Sequence, residues 1–438
     1  MAILSKEEAH AILQKVLSFS KADGCQATLG GRVGGNIRYA LNTVTTSGRV
    51  RDVTLGVQSN FGKKIGTATV NEFDDAALEK VVRRSEELAR LAPENPEFVE
   101  PLGPQEYVPV KAYFESTAKI TPEYRAEAAA HSIEPARQNE ITAAGFLEDR
   151  AGFQAMMNSA GLFAYHASTG VNFSVTMRTQ DGTGSGYAAR DFNDVRKLDT
   201  ASASQIAIDK ALRSRQPRAL EPGKYTVILE PAASVGLLRN LIFNLDARRA
   251  DEGRSFFSKK GGGTKLGEKI VDERVTIYSD PTHPEVPASP WTGDGRPQRR
   301  TVWIENGVVK NLYYSRYWAQ KQGVEAVPPP ANGIMQGGDA TLEDLIRDTK
   351  RGVLVTRTWY IRTVDPRTLL YTGLTRDGVF FIENGQIAYP VKNFRWNESP
   401  IAMLNHLEAL GRPERIEGSL IPPMRVRDFT FSSLSDAV

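Results

Sequence analysis

One stretch near the middle of the chain, residues 221–268, constrains the fold more than any other. It begins with a strand-like run at 225–229, which Pro231 closes. The apolar residues that follow recur at spacings of three and four, which is the stripe of a helix. They are Val235, Leu238, Ile242 and Leu245. Because a glycine just past the last periodic residue adopts the left-handed conformation at little cost, Gly253 predicts the end of one continuous helix.

The first half of the chain contains a layout that occurs twice. Strand-like runs separated by glycine-bearing turns precede a helix pattern at 76–91, and a similar set precedes a second helix pattern at 201–212. The matching pairs are Ser47-Gly48 with Thr169-Gly170, Val53-Thr54 with Val175-Thr176, Gly66 with Gly186 and Ala68 with Ala188. An internal duplication explains this match. The alternative is chance agreement of two strand-turn-strand-helix units at a few glycines.

The second half of the chain is strand-rich and contains two hairpin signals. Asn306-Gly307 and Asn384-Gly385 each lie between strand-like runs. Asn-Gly suits a type I′ turn, because both central residues of that turn need positive φ. The two turns therefore predict antiparallel hairpins. Ser399 before Pro400 predicts the start of a last helix, which should run to Leu410.

Together these patterns predict an α+β protein of two domains. The segment 213–223 holds two prolines and a polar run, and it separates the second copy of the repeat from the central strand. We therefore expect an N-terminal α+β domain, residues 1–218, with internal strand and helix repeats. A strand-rich C-terminal domain with antiparallel hairpins then comprises residues 219–438.

Composition narrows the functional classes. Lysine and arginine number 55 and aspartate and glutamate 52, so the net charge of +3 gives no electrostatic footprint for nucleic acid. The N-terminal residues place charges where a signal peptide needs an apolar core, and no apolar run has the length of a membrane span. The single cysteine, Cys25, excludes an internal disulfide. We expect a cytoplasmic protein that binds neither nucleic acid nor membranes.

The central stretch, the segment RYALNTVTTSG at 38–48 and the hairpin VFFIENGQIAYPV at 379–391 resemble the TldD/PmbA family. Members of that family have been called modulators of DNA gyrase and form metalloprotease complexes. In the catalytic, TldD-like branch, the helix in this place carries H-E-x-x-x-H, which supplies two zinc ligands and a general base. The resemblance covers nearly the whole chain and implies a metallopeptidase-like protein that takes part in proteolysis or peptide processing.

The family's catalytic positions are degenerate in this chain. With Glu252-Gly253 and the Leu-Gly-Glu at 266–268 as anchors, they fall on Asn244, Leu245 and Arg249. Leucine has no proton to exchange, and arginine stays protonated and repels a cation. The family's third ligand, a cysteine near the C-terminus, is also missing, because the only cysteine lies near the N-terminus.

The resemblance therefore implies the non-catalytic, PmbA/TldE-like branch. It implies that this chain carries no cofactor, that zinc is held by a TldD-like partner subunit, and that the complex acts on peptides. We also expect a homodimer when the chain is alone. Two alternatives stay open: a self-standing hydrolase with an atypical site, for which Asp246, Asp251 and Glu252 are candidate acids, and a self-associating peptide-binding module without protease activity.

Arginines and aromatic residues are concentrated in the C-terminal half. Candidates for a peptide-binding or subunit interface are Arg357, Trp359, Tyr360, Arg362 and Arg376. The guanidinium group of arginine donates hydrogen bonds to carboxylates and backbone carbonyls, and aromatic rings supply rigid contact area. Alternate residues of a strand share a face, so we expect Trp359 and Tyr360 on opposite faces. The alternative is that the aromatic residues belong to the core, with solvated arginines between them.

The five histidines show no metal-ligand spacing, since no two lie within five residues of one another. His166 is the most notable, because it lies where the second copy of the repeat turns. The simpler interpretation is a strand histidine that faces solvent.

Overall fold

The computed structural model describes residues 3–436; the first two and last two residues, which the predicted domains include, lie outside the described residues. Helices hold 24% of the residues and strands 41%, in several sheets, so the predicted α+β class is confirmed. No helix between residues 3 and 436 is both long and apolar enough to cross a membrane.

The chain begins with a helix-strand-strand-strand-helix unit, which we call the first repeat. Its elements are α1 (Lys6–Phe19), β1 (Gly24–Ala40), β2 (Thr43–Phe61), β3 (Lys64–Val70) and α2 (Asp75–Leu91). Ser5 starts α1 through a capping box: its hydroxyl accepts from the Glu8 amide, and the Glu8 carboxylate accepts from the Ser5 amide. Asp74 caps α2 in a similar way, accepting from the amide of Ala77.

The second repeat follows in the same order, after a linker that contains the short helix α3 (Glu115–Ala118). Its elements are α4 (Pro122–Gln138), β4 (Ile141–Asn158), β5 (Phe163–Thr179), β6 (Ser185–Phe192), a 3₁₀ turn (Val195–Lys197) and α5 (Thr200–Arg213). Pro122 occupies the first turn of α4, where its missing N–H has no partner to lose. The two repeats therefore share one element order, as the sequence match predicts.

Both repeats contribute to a single antiparallel sheet with the strand order β3-β2-β1-β4-β5-β6. The first strands of the two repeats, β1 and β4, pair at its centre, from Gln26 opposite Asn158 to Tyr39 opposite Gly145. The sheet therefore has two similar halves that meet along equivalent strands. This arrangement is the one expected from an internal duplication.

One matched pair of glycines has the same structural reason in both halves. A Cβ on Gly66 of β3 would lie 2.1 Å from the backbone nitrogen of Ala89 in α2. A Cβ on Gly186 of β6 would lie 2.0 Å from the carbonyl oxygen of Ala207 in α5. Each glycine thus allows the last helix of its repeat to approach the sheet closely.

The long helices cover one face of this sheet. In the first repeat, α1 and α2 pack over an apolar cluster that includes Leu13, Leu29 and Leu55. In the second, α4 and α5 pack over a cluster that includes Phe173 and Val175. Burial of these side chains supplies the main driving force for the unit.

The second half of the chain contains many short elements. They are β7 (Gly223–Leu229), α6 (Pro231–Phe243), α7 (Ala247–Asp251), β8 (Ile277–Ser279), β9 (Thr301–Glu305), β10 (Val308–Val309), α8 (Arg316–Gln322), β11 (Ile334–Met335), α9 (Leu342–Arg347), β12 (Arg351–Asp365), β13 (Leu370–Glu383), β14 (Gln386–Pro390), β15 (Phe394–Glu398), α10 (Pro400–Asn405), β16 (Leu407–Leu410), β17 (Glu414–Ile416), β18 (Ser419–Ile421) and β19 (Met424–Leu434).

Five of these strands close into a ring. Neighbours pair in the order β12-β7-β19-β15-β13, and β13 pairs back with β12, so the sheet forms a small barrel. A second sheet has the order β10-β9-β8-β11-β18-β17. The largest apolar cluster of the described chain joins the barrel, α6 and this sheet, and it includes Leu229, Leu241 and Phe431.

Both predicted Asn-Gly hairpins are confirmed. Asn306 and Gly307 have φ of +49° and +78° between β9 and β10, and Asn384 and Gly385 have φ of +50° and +79° between β13 and β14. The predicted last helix is only partly right. It ends at Asn405, and the residues that follow form β16, which pairs with β19, because tertiary pairing outweighs a short apolar periodicity.

The two halves of the chain meet along β6 and α5. Arg415 donates from Nε to the Asp191 carboxylate at 2.8 Å, and Lys210 donates to the Glu230 carboxylate at 2.7 Å. The predicted boundary between 218 and 219 lies between α5 and β7. The division into 1–218 and 219–438 stays a prediction about folding units.

Candidate functional site

The central helix ends earlier than predicted. α6 stops at Phe243, and α7 begins at Ala247, so the chain has two helices where the sequence predicted one as far as Gly253. Two contacts hold the break: the Tyr313 amide donates to the Leu245 carbonyl at 2.8 Å, and the Ala247 amide donates to the Tyr313 carbonyl at 3.0 Å. The side chain of Asp246 then caps α7 by accepting from the Arg249 amide.

The prediction of a continuous helix is therefore wrong for a tertiary reason. Tyr313, distant in sequence, offers the backbone of 245–247 a β-bridge that replaces helical hydrogen bonds. Its hydroxyl also donates to the Phe243 carbonyl at 2.9 Å, and burial raises the pKa of this phenol. The apolar spacing alone could not reveal such a partner.

Each of the three degenerate positions has a structural role. Asn244 is the C-cap of α6, and its side-chain amide donates to the Asn240 carbonyl at 2.8 Å. Leu245 is completely buried in the apolar core. The Arg249 guanidinium lies 5.5 Å from the centre of the Phe243 ring and faces solvent in part. An amide, an alkyl group and a guanidinium do not form a zinc ligand set.

The carboxylates considered for an atypical hydrolase are also engaged. The Asp251 carboxylate accepts from the indole of Trp318 at 2.7 Å, and Asp246 caps α7. Hydrogen bonds from Arg254 and Arg248 lower the pKa of Glu252. A general acid at neutral pH needs a raised pKa, so the shift at Glu252 runs in the opposite direction.

The five predicted interface residues lie together on β12 and β13, but their arrangement differs from the prediction. Trp359 and Tyr360 are neighbours on the surface, 43% and 55% exposed, with ring centres 5.5 Å apart. The Arg376 guanidinium lies 4.5 Å from the Trp359 ring centre, and Arg362 lies 4.2 Å from that of Tyr360. We call these four residues the arginine-aromatic ladder.

The expected placement of Trp359 and Tyr360 on opposite faces is wrong. Tyr360 has φ of +56°, and the pairing of β12 with β13 shifts register between Trp359 and Arg362. This bulge interrupts the alternation that the prediction assumed. Ile361 instead points inward, close to Gly236 of α6.

Arg357, the fifth predicted residue, lies at the junction of the two halves. Its guanidinium donates to the fully buried carboxylate of Asp377 and stacks 3.9 Å from the ring centre of Tyr187. Asp377 also accepts from the Ser185 hydroxyl at 2.5 Å. Only 18% of the Arg357 side chain is exposed, so this residue ties β12 to β6 rather than presenting a free cation.

A cavity of about 900 Å³ lies elsewhere, between the first sheet and the second half of the chain. Residues of β1, β4 and β5 line it, among them Arg32, Arg150 and His166, and Arg415 lines it from the second half. Burial lowers the pKa of His166. Of these four, the sequence analysis noted only His166. The missed signal was the alternation of polar and apolar residues along three long strands, which marks a sheet with one polar face.

Comparison with known proteins places the chain in a family. Models of the PmbA/TldA metallopeptidase domains match it in order: domain 1 at 30–89, the central domain at 118–215 and the C-terminal domain at 222–433. The chain therefore belongs to the PmbA/TldD metallopeptidase family, as the resemblance predicted.

Two curated relatives illustrate the degree of similarity. A metalloprotease of Methanothermobacter thermautotrophicus is 25% identical over 294 residues, and the match spans 61% of this chain and 62% of that protein's length. This is less than two thirds of that relative. Metalloprotease PmbA of Escherichia coli O157:H7 is 23% identical over 419 residues, or 89% of each chain.

Solved structures share the fold across nearly the whole chain. TldE from Thermococcus kodakarensis superposes with a TM-score of 0.87 at 18% identity, over 98% of this chain and all of its own. A Thermotoga maritima protein named for modulation of a DNA gyrase gives a TM-score of 0.86 at 18% identity, over 97% of this chain and all of its own.

Proposed function

We propose that this chain is a non-catalytic, TldE-like subunit of a cytoplasmic zinc metallopeptidase complex that processes or degrades peptides. The observation that carries the proposal is the content of the three degenerate positions. Asn244 caps a helix, Leu245 is a core residue and Arg249 is a cation. Because these residues replace the catalytic groups of a metallopeptidase family, we infer that the chain is a pseudoenzyme.

Zinc belongs to a TldD-like partner in this proposal. A further cation, Arg248, precedes Arg249 in α7 and pairs with Glu97 and Glu252. Hydrogen bonds from its guanidinium to Glu97 and Glu252 raise the pKa of Arg248, so it stays charged. A guanidinium beside a bound divalent cation is repulsive. The guanidinium groups of Arg248 and Arg249 therefore add to the argument against metal binding that the missing ligands provide.

The arginine-aromatic ladder is the proposed contact surface for the partner subunit or for the peptide. Trp359, Tyr360 and Arg362 combine exposure with a rigid stacked arrangement, which is typical of residues that dominate protein interfaces. The positive φ of Tyr360 agrees with this role, because strained backbone at bulky residues is concentrated at functional sites.

We also expect a homodimer when the partner is missing. Large exposed apolar side chains favour association with another protein surface, and this chain has them outside the ladder as well, at Leu41, Val44 and Val50. Of the two alternatives, the peptide-binding module is the stronger, because it needs no catalytic group. The self-standing hydrolase is weaker, because the carboxylates of Asp246, Asp251 and Glu252 already have partners.

Peptidase assays on the purified chain test the catalytic part of the proposal. We expect no hydrolysis of an unfolded peptide by the chain alone, with or without added zinc. We expect chelator-sensitive hydrolysis when a TldD-like subunit from the same source is added. Chelator-sensitive hydrolysis by the chain alone would contradict the proposal, and so would an equal activity of the TldD-like subunit with and without this chain.

A matched pair of variants tests the ladder. Replacement of Trp359, Tyr360 and Arg362 by alanine should weaken binding to the TldD-like subunit by about 2 kcal/mol or more, which calorimetry can measure. Leu91→Ala with Val324→Ala removes apolar surface that is 77% and 47% exposed elsewhere, and it should leave the affinity unchanged. Equal affinities for both variants would refute the ladder as the contact surface.

A further inference from the structure

The outer edge of the first repeat has no partner strand over residues 43–54. β3 pairs with β2 only from Leu55 to Phe61, and no other strand within residues 3–436 pairs with the outer side of the preceding stretch. All but one residue of 43–54 are exposed, and Val53, the exception, is partly exposed. At about 3.4 Å per residue this open edge is roughly 40 Å long. An edge of this length presents unpaired backbone donors and acceptors to any strand that approaches.

In the second repeat, other segments of the same chain cover the equivalent edge. The first part of β5, from Phe163 to Gly170, contains no exposed residue. The Thr169 amide donates to the carbonyl of Ala112 at 2.9 Å, and the Asn193 side chain donates to the Thr169 carbonyl at 2.8 Å. In the first repeat, the matching residue Ser47 donates its hydroxyl only back to the neighbouring strand, to the Asn36 carbonyl at 3.2 Å.

The open edge carries only part of the usual protection against pairing, the charged residues Arg49, Arg51 and Asp52. Residues 43–54 contain no proline and no lysine, and most are threonine or valine. Three large apolar side chains on the same hairpin are exposed: Leu41 by 78%, Val44 by 46% and Val50 by 41%. The composition therefore suits a strand whose edge becomes covered in an assembly.

We propose that this edge is the self-association surface of the chain, and that its occupant is residues 43–54 of a second copy, paired antiparallel. This unit already joins a related unit edge to edge, because β1 and β4 are equivalent strands that pair antiparallel. The proposal rests on the self-association proposed above, but it does not depend on a TldD-like partner.

The charges on the edge are compatible with this pairing. A two-fold axis perpendicular to the sheet relates residues on the same face, so it must pass through a residue that lies opposite its own copy. With the axis at Gly48, Thr46 of one copy lies opposite Val50 of the other, and Asp52 lies opposite Val44. No two like charges then lie opposite one another. Directly opposed like charges would destabilise the pair. The join would make a continuous sheet from the sheets of both copies.

Lysine substitutions on the edge provide the first test. Light scattering at micromolar concentration should give a dimer for the unchanged protein and a monomer for the variant Val44→Lys with Val50→Lys, because lysine blocks edge pairing. The control, Leu91→Lys with Val324→Lys, places the same charges on exposed apolar sites elsewhere and should stay dimeric. Circular dichroism should show equal folding of both variants.

Cross-linking provides a test that does not depend on a loss of assembly. The proposed register places Thr46 of one copy opposite Val50 of the other, so Thr46→Cys with Val50→Cys should form a disulfide between chains on oxidation. The two positions are too far apart along one strand to react within a chain. The only natural cysteine, Cys25, is buried, so the unchanged protein serves as the control.

The outcomes separate this inference from the proposed function. A dimer that survives the Val44 and Val50 substitutions and does not cross-link would overturn the edge as the surface and leave self-association intact. A monomeric unchanged protein would overturn both. A monomer whose binding to a TldD-like subunit is lost with Val44→Lys and Val50→Lys would assign the edge to that partner and overturn the second copy as occupant.

Discussion

The two repeats of the first sheet share one element order but are completed differently. The second repeat covers its outer edge with the linker near Ala112 and carries a buried ion pair, whereas the first leaves residues 43–54 open. Similar local sequence thus produces the same unit twice, and the contacts made by the intervening chain decide which edge is closed. An edge strand that has no partner in one repeat is therefore best interpreted by comparison with the equivalent edge strand of the other repeat.

The largest expected effect concerns the ion pair, which only the second repeat contains. Arg125 of α4 donates to both oxygens of the Asp149 carboxylate, at 2.5 and 3.0 Å, and both residues are buried. The buried face of α1, by contrast, is apolar, with Ala9, Leu13 and Val16. Arg125→Met should cost about 3–5 kcal/mol in the free energy of unfolding, because it leaves a buried carboxylate without its partner.

A double variant gives the control for this prediction. Arg125→Met with Asp149→Leu removes both charges, so the interior beneath α4 becomes apolar like that beneath α1, and the loss of stability in urea unfolding should be clearly smaller. Equal losses for the single and double variants would mean that shape, and not charge pairing, makes Arg125 important at this position.

The next effect tests the symmetry of the repeats directly. Gly66→Ala and Gly186→Ala each force a Cβ against helix backbone, at 2.1 and 2.0 Å. Each should lower the free energy of unfolding by about 1–3 kcal/mol, in similar amounts. Gly30→Ala on β1 is the control, since its Cβ would meet no atom closer than 3.8 Å. A large effect at only one of the two glycines would show that the strand-helix contacts of the two repeats are not equivalent.

Hydrogen exchange sharpens the comparison of the two edges. In dilute protein, amides of 43–54 that point outward should exchange faster than those of 163–170, which the linker covers. Raising the protein concentration should slow exchange in 43–54 alone if copies associate there. Protection of 43–54 that is already equal to that of 163–170 in a monomer would contradict the open edge.

The smallest expected effect is a pH dependence of the free energy of unfolding, which arises from a carboxylate in the second repeat. The Asp194 carboxylate accepts from the guanidinium of Arg196 at 2.6 Å and from the hydroxyl of Ser116 at 2.7 Å. The hydrogen bond from Arg196 is the main reason that the pKa of Asp194 is lowered from its ordinary value of 3.8. The carboxylate therefore stabilises the fold above pH 3.8, and this contribution is lost as the pH falls below that value towards the folded-state pKa.

The variant Asp194→Asn tests the direction of this pH dependence of stability. The variant should be slightly less stable than the unchanged protein at neutral pH, and the difference should shrink as unfolding is measured at pH values descending from 4 to 2. The linker helix that holds Ser116 should loosen first, which limited proteolysis can detect. A difference that stays constant over this range would show that the carboxylate charge is not the stabilising feature.

At the candidate site, some inferences needed only the sequence, and others needed the structure. The positions Asn244, Leu245 and Arg249 could be judged from residue chemistry alone, because ligand capacity is a property of the side chain. The break between α6 and α7 could not, since it depends on Tyr313, which lies far along the chain. The ladder residues could be named as interface candidates from their chemistry, but their arrangement in space depends on the bulge at Tyr360.

By itself, the sequence determined the local elements and their repetition: the capped helices, the two Asn-Gly hairpins and the paired layouts that became two halves of one sheet. These follow from interactions between residues close in sequence. Only the tertiary structure decided which strands closed into a barrel, where the central helix broke and which edge stayed open. Those outcomes depend on backbone hydrogen bonds between distant segments, which every residue except proline can make and which therefore leave little trace in the pattern of side chains.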